Sequence, residues 1–130
     1  MEVSIDLSDA LQAAINASGH AASANPLPAD FDSNLPFTRV TTLEGGTRTD
    51  RVIDARTALI ETWAEHMDEA VAECNVIVGV LCDLEGKTVG GVPCYRVEVY
   101  SLPAEDFDPY HRDLQMASAT VRVTMRVMHV

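Results

Sequence analysis

Hydrophobic residues along the chain change period several times, and each change marks an element. Over residues 7 to 17, LSDALQAAINA, the apolar positions Leu7, Leu11 and Ile15 recur every four residues. That spacing predicts a short helix, with Asp6 or Ser8 as its cap and Gly19 as its stop. The next stretch, ASANPLPADFDSNLP, is broken by prolines and Asx residues and reads as a connecting loop. From Phe37 the period drops to two. Phe37, Arg39, Thr41 and Leu43 alternate with Thr38, Val40 and Thr42, in a run rich in the β-branched residues that favour extended backbone. Glu44-Gly45-Gly46-Thr47 tolerates the positive φ of a reversal, so a hairpin is predicted, with a return strand from about Arg51 to Glu61. Ile and Val lie on both sides of that strand together with Asp54 and Arg56, which points to cover on both faces.

A longer helix follows. Thr62-Trp63-Ala64-Glu65 fits a capping box, and Met67, Val71, Cys74, Val78, Leu81 and Leu84 recur at three or four residues before Gly86. Asn75–Val80 has strand propensity, but the apolar phase runs through it. Strands are then predicted from about Val92 to Leu102 and from Ala117 onward. In the last of these Ala119, Val121, Val123, Met125 and Val127 face in while Thr120, Arg122, Thr124 and Arg126 face out. Together these elements predict an α+β fold. A mostly antiparallel sheet of about four strands carries a long helix and a short N-terminal helix. Residues 1–34 form a helix and loop or arm, and residues 35–130 the main domain.

Composition narrows the functions open to such a chain. Apolar residues make up 47% of the 130, enough for one core, but aromatics only 5%, so the core is mostly aliphatic. The formal charge is −11, and no Lys or Arg precedes Arg39. Clustered cations are what bind a phosphate backbone, so direct nucleic-acid binding is disfavoured. No apolar run reaches the roughly 20 residues needed to span a bilayer, and the first residues lack the basic segment of a signal peptide. Cys74, Cys82 and Cys94 form no C-x-x-C pair and read as small apolar residues in a reducing compartment.

Candidate chemistry is sparse. His66-x-x-Glu69, with Glu65 and Glu73, lies on one helix face, but one helix supplies too few ligands for a metal site. Tyr110-His111-Arg112-Asp113 holds an acid, a base and a cation whose adjacency does not align them for proton transfer. Ser23, Ser33 and Ser101 sit in no nucleophile elbow. Gly45-Gly46 and Gly90-Gly91 lack a phosphate-binding context. An enzyme is disfavoured, and no cofactor or metal is expected. The strand arginines Arg39, Arg56, Arg96, Arg122 and Arg126 fit either an ordinary surface or an interface. Guanidiniums are frequent interface anchors, and against acidic helices they suit head-to-tail contact between identical subunits.

The run NLPFTRVTTLEGGTRTDRVIDARTALIETWAE, the long helix, the Gly-rich turn with its strand, and DPYHRDLQMASATVRVTMR resemble the tail terminator proteins of long-tailed (siphovirus-type) bacteriophages. The likeness is greatest to those of actinobacterial phages. It rests on Pro36 to Val40, Gly45-Gly46, Asp50-Arg51 with Asp54, Arg112, and Ala119-Thr120 through Thr124 and Arg126, and covers roughly residues 35 to 128. The resemblance implies a virion structural protein, assembled in the bacterial host cytoplasm, that forms a hexameric ring on the head-proximal end of the tail tube. Such a ring stops tube polymerisation and offers a surface to head-completion (neck) proteins. Genome DNA passes through it without specific binding, and neither a membrane nor a cofactor is involved. The assembly candidates are then Leu43, Glu44, Gly45, Gly46, Thr47 and Arg48 at the hairpin tip, with Arg56, Arg112, Arg122 and Arg126. Two other readings stay open: another neck or tail-tube component, such as a head–tail joining protein, and a soluble acidic interaction module.

Overall fold

The strictest alternation in the sequence becomes the centre of the sheet. In a computed structural model describing residues 1–130, strand β8 (Gln115–Arg126) lies between β5 (Ile53–Ala64) and β7 (Val92–Asp106), antiparallel to both. Ala117, Ala119, Val121, Val123 and Met125 are buried beneath the helices, while Thr120, Arg122 and Thr124 lie half-exposed on the other face. Beyond β5 come β3 (Phe37–Thr42), antiparallel, and then β2 (Ala22–Ala24), the one parallel neighbour. β4 (Thr47–Thr49) also pairs with β5, and β6 (Thr88–Val89) pairs with the start of β7. β1 (Glu2–Val3) and β9 (Met128–His129) form a separate two-stranded ladder. Helices α1 (Leu7–Ala17) and α2 (Met67–Cys82) cover one face, α2 crossing β5, β7 and β8.

The α+β class with a mostly antiparallel, curled sheet holds, but the strand number does not. A seven-stranded sheet and a two-stranded ladder replace the expected four strands. The added strands, β1, β2, β4, β6 and β9, are two or three residues long. No period can be read over so few positions; only the neighbouring backbone makes them strands. Residues 1–34 contribute Leu7, Leu11, Ile15 and Ala22 to the same core as the sheet. Their expected loop holds β2 and a short 3₁₀ turn, Phe31–Asn34.

Two further expectations change. Thr62 is not a helix cap. It continues β5, is fully buried, and its Oγ1 lies 2.9 Å from Oγ1 of Thr38 across the sheet. α2 starts only after His66, which makes no side-chain cap, with Asp68 and Glu69 in its first turn to suit the dipole. Its buried face is centred on Ala70, Cys74, Ile77 and Leu81, so Met67 and Val71 lie at the margin of the stripe.

The hairpin is also rearranged. β3 and β4 occupy the same edge of β5 in succession, so Gly45-Gly46 interrupts one long edge and does not form its tip. The chain reverses at Asp50-Arg51, both at positive φ (52° and 67°), closed by the Val52 N–H donating to the Thr49 carbonyl at 3.2 Å. Gly46 is needed for close approach: a Cβ there would sit 2.6 Å from the Ala55 carbonyl oxygen, and its φ is +106°.

Candidate assembly surfaces

The expected assembly residues divide into those used inside the fold and those left free. Arg48 and Arg56 project to the helix side of the sheet. Arg48 Nε donates to Asp54 Oδ1 at 2.5 Å and its Nη2 to Asp54 Oδ2 at 3.0 Å, while Ser4 Oγ donates to the same Oδ2 at 2.6 Å. The Arg48 guanidinium, assisted by Ser4, holds the buried Asp54 carboxyl below its ordinary range against the opposing effect of burial. Arg56 donates to the Ile5 carbonyl at 2.7 Å. These groups tie the segment before α1 to β5. They line an open polar cleft of about 300 Å³ with Ser4, Gly45, Gly46 and Thr47, in which no apolar side chain takes part. Leu43 and Glu44 are exposed beside it.

Arg122 lies on the opposite face. It stacks 5.7 Å over the Tyr100 ring, donates to the Tyr100 hydroxyl at 3.1 Å, and donates to Thr47 Oγ1 at 3.2 Å. It therefore bridges β4, β8 and β7 across the open face. Arg126 is exposed at the end of β8, and Arg112 is exposed in the loop after β7, donating to the Pro109 carbonyl. The fold thus does not gather the ten candidates into one patch.

The acid–base cluster of the 108–113 loop has a structural use. Asp108 Oδ2 accepts from Trp63 Nε1 at 2.9 Å and lies 2.6 Å from His111 Nδ1, while Oδ1 accepts the Tyr110 N–H at 2.9 Å. Burial works against the Asp108 charge, but bonds from His111, Tyr110 and Trp63 outweigh it and lower the carboxyl's pKa. The His111 ring meets Phe31 edge-on at 4.9 Å. The loop is thereby clamped to a second small core of Phe31, Phe37, Trp63 and Met116. Glu73 bonds His20 at 2.8 Å, joining α2 to the end of α1. Burial pushes the Cys74 thiol up to about 11 and raises Cys82 and Cys94, which suits apolar packing more than nucleophilic work.

The two edges of the sheet differ. At β2, the outward Ala22 N–H donates to Asn16 Oδ1 at 3.1 Å and the Ala24 N–H to Gln12 Oε1 at 3.2 Å, while Gln12 Nε2 donates to the Ala22 carbonyl. Two amide side chains of α1 stand in for a strand. At β7, β6 covers only Val92 and Pro93, Gly86 and Lys87 bond Cys94, and the Glu85 carboxylate accepts the Val97 N–H. From Glu98 to Asp106 no backbone partner meets the outer edge. That edge is not flat. Register shifts at Tyr95, at Tyr100 and around Leu102-Pro103 kink it, as edges do when strand addition is discouraged.

Aromatics follow the same division. Phe31, Phe37 and Trp63 are buried, and every other aromatic, Tyr95, Tyr100, Phe107 and Tyr110, is exposed along this one segment. Sequence reasoning passed over Phe107, named Tyr110 only within an acid–base cluster, and took Arg51 as a strand start and motif residue and not as part of the reversal. The available signal was the placing of scarce aromatics inside an acid-rich loop. Neither a protein-family model nor a curated protein matches the chain.

Proposed function

We propose that this chain is a self-assembling virion structural protein. It would form a ring on the head-proximal end of a long-tailed phage's tail tube, end tube growth and present a docking surface to neck proteins. The observation that carries the assembly part is the segment from Tyr95 to Tyr110, a bulged edge whose aromatics are exposed while the opposite edge is sealed by Gln12 and Asn16. Tyr and Arg side chains on such a surface are the usual anchors of protein contacts. The phage assignment rests on the motifs of residues 35 to 128. The charge of −11 suits a ring through which DNA slides without adhering.

The test is direct. Tail tubes polymerised without the protein are mixed with it and imaged by negative-stain electron microscopy. The expected result is a ring of density at one tube end and an arrest of elongation. Tubes that stay bare and keep growing would sink the terminator reading. Density along or inside the tubes would favour another tube or neck component, and capture of a basic host protein by free monomers would favour the acidic interaction module.

A further inference from the structure

The 107–113 loop presents its side chains in the reverse of the order that burial would favour. Asp108 and His111 turn inward, onto Trp63 and Phe31, while Phe107 and Tyr110 point out, 69% and 89% exposed. A loop without such a clamp would gain by covering its aromatics and hydrating its carboxylate. Here the clamp fixes the loop backbone from which two aromatic rings project, in a stretch that also carries Glu105, Asp106 and Asp113. Rigid aromatic anchors lose little entropy on docking, and their apolar area gains from being covered.

The opposite pole of the sheet holds a complementary feature. Two-residue reversals with both central residues at positive φ favour Asn-Gly or Asp-Gly, but Arg51 occupies the second position at φ 67°. A bulky residue in that conformation carries a backbone cost, and its persistence points to a use for the side chain. Arg51 is exposed, as is Arg126 on the adjoining strand end, and neither guanidinium makes a hydrogen bond or a close ion pair in its own chain, although the Arg126 charge acts on Glu2 through space. Arg51 and Val52 border an open hollow of about 920 Å³ whose rim includes Glu2, Arg48 and Asp50. Arg48 is held by Asp54. His129 and, more weakly, Arg126 keep the Glu2 carboxyl below its ordinary range, although Glu2 Oε2 accepts no hydrogen bond. Asp50 and Glu2 are therefore the carboxylates beside the two exposed guanidiniums.

We propose that the loop end of one copy, through Phe107, Tyr110 and the carboxylates beside them, seats against the β4–β5 turn of a second copy, where Arg51 and Arg126 receive it. The occupant is another copy because the two poles of the same sheet expose complementary groups, carboxylates and aromatics at one and guanidiniums at the other. The loop pole is strongly acidic and holds only Arg39 and Arg112 as cations; Arg39 is already bonded to Glu61. The other basic residues lie toward the turn pole, mixed with Glu2, Glu44, Asp50, Asp54 and Glu98. What distinguishes that pole is the pair of exposed guanidiniums of Arg51 and Arg126 and not a net positive charge. Both features lie at opposite ends of β5 and β8, about 40 Å apart for a 12-residue strand, so one chain cannot join them to itself. An aromatic ring beside a guanidinium, with carboxylates around it, combines cation–π and ionic attraction. The contact is head-to-tail: every copy keeps one free loop and one free turn, so it propagates until a ring closes. This deepens the ring reading and rests on its self-assembly part.

The test uses two double variants of the full chain, F107S/Y110S and R51E/R126E, all at exposed positions so that each monomer stays folded. Native mass is measured for wild type, each variant and their equimolar mixture over a concentration series. The expected result is assembly of the wild type at least tenfold below the concentration at which either variant assembles. The mixture is expected to stop at a heterodimer, because the first variant keeps an intact turn and the second an intact loop. Variants that assemble like the wild type, or a mixture that stays monomeric, overturn the contact while leaving ring formation by another surface standing. A wild type monomeric throughout overturns it as well, and binding to tail tubes then judges the terminator reading separately.

Discussion

At the β2 edge, Gln12 and Asn16 reach from α1 to occupy the outward backbone groups of Ala22 and Ala24; at the β7 edge, the outward groups from Glu98 to Asp106 meet nothing of their own chain. Both edges belong to one sheet and share one core. An uncovered strand is a hazard for uncontrolled pairing, and the molecule manages that hazard in two ways. One edge is closed with side-chain amides. The other is kinked at three places, carries Pro103 and charged residues, and displays tyrosines at two of the kinks. Closure removes a surface from use, whereas kinking keeps side chains available while denying a flat ladder to passing strands. The difference marks the edge whose backbone groups and aromatic side chains stay uncovered by the chain itself.

Substitutions test that comparison at several strengths. Leu81→Asp should abolish it, because both edges depend on the core under α2 and Leu81 is fully buried. A carboxylate without a partner there is expected to unfold the domain, read as loss of far-ultraviolet circular dichroism. Val71→Asp, at the half-buried margin, should remain folded with a lower urea midpoint.

Asp108→Ala removes the acceptor for Trp63, His111 and the Tyr110 N–H. It is expected to cost about 1–3 kcal/mol in urea unfolding and to quicken hydrogen exchange across residues 107–113 before other segments respond. Replacing Gln12 and Asn16 together by Leu makes the β2 edge resemble an open one. A loss of about 1 kcal/mol for each amide, with irregular aggregation beyond any assembly of the wild type, would support the closure; unchanged behaviour would remove it.

Acid adds a further test. Asp54 and Asp108 have folded-state pKa values below the unfolded carboxylate value of about 3.9. Their stabilisation is therefore fully present above that pH and is lost as pH falls through the lower folded values. Stability should drop below about pH 4, and Asp54→Asn should flatten the slope. The smallest effect belongs to Arg51→Gly. It should raise monomer stability by about 1 kcal/mol by relieving the left-handed backbone while weakening assembly, so stability and association move in opposite directions.

The sequence by itself determined the long elements: α1 on Leu7, Leu11 and Ile15, α2 through the strand-like Asn75–Val80, and the inward face of β8. Period survives in sequence because one face of a long helix or strand meets a core along its whole length. It also gave the acidic charge and the scarcity of candidate chemistry. Tertiary structure alone decided what depends on neighbouring backbone. Thr62 became β-strand because β3 and β8 flank it, although the local pattern offered a cap. Asp50-Arg51 became the reversal because β4 continues along the edge of β5 past the glycines. Gln12 and Asn16, polar positions on a helix, became the seal of a sheet edge only once β2 lay beside them. Burial writes a period into the chain, but a hydrogen bond between distant segments leaves none. The sealed edge, the open edge and the clamped aromatic loop all depend on such bonds, and so they emerge only from the folded chain.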